Sequence, residues 1–305
     1  MIRVDLLRSA REYLALRRAL GFKLYHETCL LPDFVSFVAA QGSACITTDL
    51  AVRWAQQPAG ASERWCASRL SVIRCFAKYQ RAFDPRTEIP PRDLLPSRAT
   101  RRVPHLYTQA EIAAIMSEAR AVRPAIIAAT YETLLGLLAT TGMRVGEALA
   151  LDDHDIDWSR SLLEVRHAKF QKSRLVPLHA STLAALRRYV AVRDRLCVRL
   201  GRWVFTSSVG TRVLPQVFRS VFRRLVRRAG LGDSPRPRLH DLRHTFALDT
   251  LRDWYRSGVD VERRLFSLST YLGHVKPTST YWYLTATPEL LALAGARLEH
   301  WRALQ

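Results

Sequence analysis

Apolar residues recur at helical spacing through the first eighty positions: Leu6, Tyr13, Leu14 and Leu20; Leu30, Phe34 and Phe37; Leu50, Val52 and Trp54; then Trp65, Leu70, Ile73, Phe76 and Tyr79. Residues three and four apart share one face of a helix, so this spacing predicts about four helices, each burying a stripe. The pattern stops at Asp84. From there to Pro104 the chain carries Pro85, Pro90, Pro91, Pro96 and Pro104 with few apolar pairs, which reads as a linker over 85–104. The expected organisation is therefore a small all-helical domain over 1–84 and a second domain over 105–305.

The second domain opens on Thr108-Gln109-Ala110-Glu111, a hydroxyl with an acid three positions on and an apolar run behind it. That is a capping box, in which each side chain satisfies a backbone N–H of the other at a helix start. A long apolar helix is expected over Ala125 to Leu138. The period then changes: Leu163, Val165, Leu175 and Val176 flank a polar tip from Lys169 to Ser173, so Ser161 to Leu178 reads as a β-hairpin. Helical patterns return at Ser181–Leu200, Leu214–Ala229, Asp241–Trp254 and about Pro288–Ala303. The fold class is mainly α with a small β-sheet or hairpin, that is, α+β.

Charge narrows the partners. The 305 residues hold 47 Lys+Arg against 27 Asp+Glu, a formal net charge of +20 and a pI near 10.7, and both halves are net basic. Solubility needs far less, and a polyanion such as nucleic acid is the natural partner. The fourth N-terminal helix adds Arg64, Arg69, Arg74, Lys78 and Arg81, candidate DNA contacts set against the reading of a merely solvated basic face. No apolar run approaches about 18 residues and no leader is evident at Met1-Ile2-Arg3, so no membrane partner is expected and the chain reads as soluble and cytoplasmic. Cys29, Cys45, Cys66, Cys75 and Cys197 are odd in number, scattered and form no C-x-x-C pair, which argues against a disulfide framework and a thiolate zinc site.

The chemistry concentrates in short segments. His240-Asp241-Leu242-Arg243 is followed by Gly273-His274 and then by Tyr283, an arrangement of cations ahead of a phenol. Attack on a phosphodiester needs charge neutralised on the nonbridging oxygens, a nucleophile activated and a leaving oxygen protonated. Arg144, in Thr141-Gly142-Met143-Arg144-Val145-Gly146-Glu147, has Glu147 three residues on to orient it. Arg144 and Arg243 suit bidentate binding of both nonbridging oxygens, which a lysine does not reproduce. His240 suits proton exchange with the attacking phenol, since an ordinary imidazole titrates near pH 6.5. Lys169 at the hairpin tip is a candidate acid for the leaving 5′ oxygen, with Lys172 and Arg174 as alternatives or backbone clamps. Tyr281 rivals Tyr283 as the nucleophile, and Trp282 between them reads as core. His240 and His244 stand at zinc spacing, yet zincins place a Glu beside their histidines, whereas Asp241, Leu242 and Arg243 lie between these two and a cation next to the metal would repel it, so no metal is expected. No Walker sequence is present, and exchange of one phosphodiester for another needs no nucleotide, so no cofactor is expected either.

TGMRVGEAL, the hairpin AKFQKSRLVPL, HDLRHTFA, YLGH and the terminal Tyr283 together resemble the tyrosine recombinases, the phage-integrase and Xer-type site-specific recombinases. The motifs cover roughly residues 105–290; the helical N-terminal region resembles that family's core-binding domain more loosely. The resemblance implies that Arg144 and Arg243 are the two catalytic arginines, Lys169 the hairpin lysine, His240 and His274 the two histidines, and Tyr283 the nucleophile, with Glu147 supporting Arg144. Ala168 and Phe170 replace the glycines that often flank the family's lysine, which leaves Lys172 as a competitor for that role. It further implies a C-shaped clamp on double-stranded DNA, a tetramer on synapsed sites and a mobile-element setting; it leaves open the choice among integration, excision, transposition and dimer resolution, and the need for partner recombinases or directionality factors. The final helix is expected to dock on a neighbouring protomer or to close its own core. Two rival functions stand beside recombination: type IB topoisomerase-like cleavage and resealing, and a catalytically inactive DNA-binding protein of the same fold.

Overall fold

In the computed structural model, residues 5–96, 103–166, 173–232, 236–274, 276, 278–285 and 287–303 are described. The chain divides into two compact units, Met1–Arg102 and Val103–Gln305.

The first unit is four helices: α1 (Leu6–Ala19), α2 (Glu27–Ala40), α3 (Thr48–Gln56) and α4 (Glu63–Gln80). Three begin on polar caps that the sequence supplies, Asp5, Thr47 and Ser62, each accepting first-turn backbone N–H groups that have no helical partner. Their stripes meet around Leu31, Phe34, Val38, Trp54, Ile73 and Phe76. Leu20, expected in that core, lies beyond the end of α1 and faces solvent. The first part of the segment read as a linker, residues 85–96, is tied to this unit: Ile89 and Leu95 pack on its core, the Glu88 N–H donates to the Ile46 carbonyl at 2.8 Å, and Arg74 donates to the Pro90 and Pro91 carbonyls at 2.8 and 2.7 Å. Prolines leave carbonyls without a ladder to join, and Arg74 satisfies two of them.

The second unit begins with α5 (Gln109–Arg120), capped by the reciprocal Thr108–Glu111 box, and α6 (Ala125–Thr141). Leu134, Leu135, Leu137 and Leu138 are all buried, so α6 is covered on more than one side; it packs against α5, α8 and α10. A four-residue α7 (Val145–Ala148) leads to a three-stranded antiparallel sheet in the order β1 (Ile156–Asp157), β2 (Leu162–Val165), β3 (Arg174–Pro177). The β2–β3 register pairs Leu163 with Val176 and Val165 with Arg174. Then come α8 (Ala180–Leu196), α9 (Pro215–Arg228), α10 (Leu239–Arg256), α11 (Val261–Leu272), the single turn α12 (Thr278–Tyr281), a 3-10 turn at Trp282–Thr285, and α13 (Pro288–Ala303).

This unit has a large core around α6 and a smaller one formed by Ala247, Leu248, Leu251, Val261, Leu265, Leu268, Leu272, Tyr283 and Leu290. Helix α11 lies outside the patterns read from sequence, although Val261, Leu265, Leu268 and Leu272 carry the helical period plainly. Helix α13 closes its own chain's core through Leu290, and Glu289 pairs with Arg252 and Arg256 of α10 at 3.0 Å each. Among the described residues no helix is long and apolar enough to cross a membrane.

Candidate active site

Two helix ends organise the site. Helix α6 stops at Gly142 (φ 59°) and α11 at Gly273 (φ 66°), both in the left-handed conformation that ends helices and that side chains resist. Such ends leave carbonyls without helical partners and carry partial negative charge, which suits cations. Three arginines, from distant stretches of sequence, take three consecutive carbonyls at the end of α11. Arg174 Nε donates to the Tyr271 carbonyl at 2.7 Å, Arg243 Nη2 to that of Leu272, and Arg144 Nη2 to that of Gly273 at 2.9 Å. Arg243 Nη1 also donates to the Gly142 carbonyl at 2.8 Å, joining the two helix ends.

Glu147 ties two of the three, Arg144 and Arg174, together. It accepts the Arg144 backbone N–H at 3.0 Å and the Arg144 guanidinium at 2.7 Å, and it takes both Arg174 Nη atoms at 2.7 and 3.2 Å. Burial pushes the Glu147 carboxyl up, but the bonds and charge of Arg174, then of Arg144, more than offset this and hold it below its ordinary value. At the start of α10, Asp241 accepts the Arg238 N–H at 2.9 Å and its guanidinium at 2.7 Å.

The result is an excess of positive charge in a region largely shielded from water. Arg243 is 1% exposed, and burial, followed by the repulsion of Arg144, pushes it down to about 10, where it is still protonated at neutral pH. The same field acts on the imidazoles. Burial and then the charges of Arg243 and Arg144 push His274 down to about 3. His240 is exposed, yet the atoms packed about its ring, then Arg243, lower it to about 4. His274 Nδ1 lies 2.7 Å from the Thr280 hydroxyl. An anion placed here meets guanidiniums already oriented and histidines held neutral until it arrives.

The aromatic triplet resolves differently from its sequence reading. Tyr283 is the buried member at 1% exposure, Trp282 is half-buried, and Tyr281 is 42% exposed. The Tyr283 ring stacks beside His274 with centroids 6.2 Å apart, and its hydroxyl is 2.9 Å from Nδ1 of His244. His240, expected to exchange the phenol's proton, instead meets the His244 ring edge-on at 4.7 Å.

The sequence model described as the phage integrase family matches residues 106–289, which contain every residue of this site. The chain belongs to that family. It is 45% identical to the putative integrase/recombinase y4rB of Sinorhizobium fredii over 95% of this chain and 96% of that one. It is 26% identical to the tyrosine recombinase XerC of Chlamydia trachomatis over 75% of this chain and 69% of that one. Among solved structures it resembles the Tn1549 transposon integrase in complex with transposon right end DNA, with a TM-score of 0.67 and 17% identity over 96% and 98% of the two chains. Tyrosine recombinases are enzymes that break and rejoin DNA, and this chain is one of them.

The remaining residues singled out in this recombinase fall into three groups. Lys169 and Lys172 lie outside the described residues. Arg64 and Lys78 are exposed on α4 and, with Arg74 and Arg92, line a groove of about 550 Å³ in the first unit. Arg69 and Arg174 are corrections to the expectation of outward-facing DNA contacts. Arg69 is 7% exposed, lies 3.7 Å over the Trp54 ring and donates to the Trp54 carbonyl at 2.9 Å, because it falls on the buried stripe of Cys66, Leu70 and Ile73. Arg174 falls two residues from buried Val176 on β3, and alternation along the strand turns it inward to Glu147. Sequence reasoning passed over the arginines of α9: Arg219 and Arg223, with Arg236 and Arg238, line a cavity of about 600 Å³ bordered by His240. Their signal was present, since Arg219 and Arg223 stand four apart on the polar face of a strongly two-sided helix.

Proposed function

We propose that this recombinase is a site-specific one in which Tyr283 attacks a backbone phosphate of duplex DNA, forming a 3′-phosphotyrosyl bond and releasing a 5′ hydroxyl. Arg144 and Arg243 hold the nonbridging oxygens, His240 and His274 complete the donor set around the phosphate, and a hairpin lysine, Lys169 or Lys172, protonates the leaving oxygen. Glu147 and Arg174 brace Arg144. The observation that carries this reading is the convergence of Arg174, Arg243 and Arg144 on the carbonyls of residues 271 to 273, immediately before His274, whose ring faces the Tyr283 phenol. Three guanidiniums around one carboxylate leave positive charge that a phosphodiester neutralises.

Each unit contacts DNA in this reading, the first through the Arg64–Lys78 face of α4 and the second through the Arg219, Arg223, Arg236 and Arg238 cavity beside His240. Each phosphate contact of this kind adds affinity and salt dependence without reading sequence. Attack by the freed 5′ hydroxyl of a second duplex completes strand exchange, within a tetramer on two synapsed sites. The setting is a mobile element, whose DNA the protein joins or excises in the cytoplasm. The similarity to a transposon integrase and to y4rB supports that setting.

The test is product analysis on supercoiled DNA carrying two copies of the sequence that flanks the gene. Recombinant circles or deletions are expected, and both are lost in Arg144→Ala and Arg243→Ala. Relaxation without recombinants selects a topoisomerase-like activity, and binding without any strand breakage selects an inactive DNA-binding protein.

A further inference from the structure

Tyr283 and His244 form a contact that holding a phosphate does not call for. His244 follows Arg243 on α10, is 8% exposed, and places Nδ1 2.9 Å from the Tyr283 hydroxyl, with the two rings edge-on at 5.6 Å. Other rings enclose the pair: Trp282 lies 5.6 Å from His244, His240 4.7 Å from His244, and His274 6.2 Å from Tyr283. The charge that reaches the pair is Arg243 on α10, whose guanidinium feels the phenol directly and is itself under the charges of Arg144, Glu147 and Arg174. A phenol is a weak nucleophile until its proton leaves, and a nearby guanidinium favours the anion once a base accepts that proton. At 1% exposure the proton of Tyr283 has no direct route to bulk water, so it passes first to a group in contact.

We propose that His244 receives the Tyr283 phenol proton at Nδ1 as the nucleophile attacks, and returns it when the strand is rejoined. The inference rests on the strand-transfer reading above and moves this role from His240 to its neighbour one turn on. In the cleavage step the Tyr283 O–H bond breaks and its proton goes to the Nδ1 lone pair of His244, whose ring carries its other hydrogen on Nε2. The phenolic oxygen bonds to phosphorus, the bond from phosphorus to the 5′ oxygen breaks, and that oxygen takes a proton from the hairpin lysine. Rejoining reverses each transfer, and no redox partner or co-reactant enters.

The experiment measures single-turnover adduct formation on saturating labelled duplex from the gene's flanks, with wild type, His244→Leu and His244→Asn. Both variants are expected to bind this duplex as wild type does and to form adduct on the order of 100-fold more slowly. Replacing Tyr283 by a fluorinated tyrosine, whose phenol is more acidic, is expected to recover roughly tenfold in the variants and to change wild type little, because only an enzyme without its base depends strongly on phenol acidity. Packing alone does not produce that recovery. Wild-type or faster cleavage by His244→Leu overturns the proposal, as does full activity in His244→Asn or a loss that the acidic phenol does not relieve. If circular dichroism shows His244→Leu misfolded, His244→Asn, nearer in shape, carries the comparison. Failure of wild type to form any adduct defeats the strand-transfer reading itself and is seen before any variant is compared.

Discussion

Arg174 and Glu147, 27 residues apart, form a two-pronged ion pair at 2.7 and 3.2 Å with both side chains more than nine-tenths buried. The pair fastens strand β3 to the turn that carries Arg144. Removing Arg174 leaves Glu147 buried with Arg144 as its remaining guanidinium and strips the Tyr271 carbonyl of its donor. Arg174→Ala is expected to lower the stability of the second unit by about 3 kcal/mol or more in denaturant titration. Arg174→Lys should recover less than half of this, because an ammonium does not reproduce the planar fork.

The two glycine helix ends give a sharper contrast. A Cβ at Gly142 would lie 2.5 Å from Phe246 Cδ1, and one at Gly273 would lie 2.9 Å from Arg174 Nη1, both on left-handed backbone. Gly146, inside α7, has nothing within 4 Å of such a Cβ. Gly142→Ala and Gly273→Ala are expected to destabilise by about 1–3 kcal/mol and to slow cleavage, while Gly146→Ala is neutral or slightly stabilising. Thermal unfolding of the three variants side by side checks this, and equal effects at all three positions contradict it.

The histidines predict a pH dependence whose sign follows from their lowered values. In the folded protein His274 and His240 titrate near 3 and 4, below the unfolded value near 6.5, so the unfolded chain binds more protons between those limits. Their contribution to stability is complete above about pH 6.5 and is lost as pH falls through about 4 for His240 and about 3 for His274. Each contributes a slope of up to about 1.4 kcal/mol per pH unit in that window, less for His240 with its exposed edge. Denaturant titrations from pH 4.5 to 7 should show the slope reduced in His274→Gln; an unchanged slope rules out His274 as a source.

Much of this architecture was legible in the chain and the exceptions have definite causes. The four N-terminal helices, the Thr108–Glu111 cap, the hairpin and α13 follow from periodicity and cap chemistry that packing did not override. The prolines after Asp84 mark irregular backbone, not freedom: Ile89, Leu95 and the Arg74 bonds hold the described residues there, up to 96, to the first unit. Charge alone suggests DNA contacts at Arg69 and Arg174, whereas the helical stripe and the strand alternation both turn them inward. The Tyr283–His244 contact joins residues 39 apart through two helices and two turns, and no spacing rule reaches it.

The cationic face of α4 separates surface from core by salt dependence. Arg64→Ala and Lys78→Ala are expected to weaken DNA binding on any sequence and to lower the slope of log K against log salt by about 1 each, with stability unchanged. Arg69→Ala should instead destabilise the first unit, since it removes a buried cation from Trp54. Fluorescence anisotropy at several salt concentrations distinguishes them. An undiminished slope in both surface variants removes that face from the DNA contact.

The account turns on one hydroxyl. Labelled duplex from the gene's flanks, incubated with protein and then denatured, reports strands covalently attached to it, and digestion locates the attached residue. Wild type and Tyr281→Phe are expected to give protein-linked strands joined at Tyr283, and Tyr283→Phe none. Adducts that persist in Tyr283→Phe, or that map to Tyr281, contradict the account.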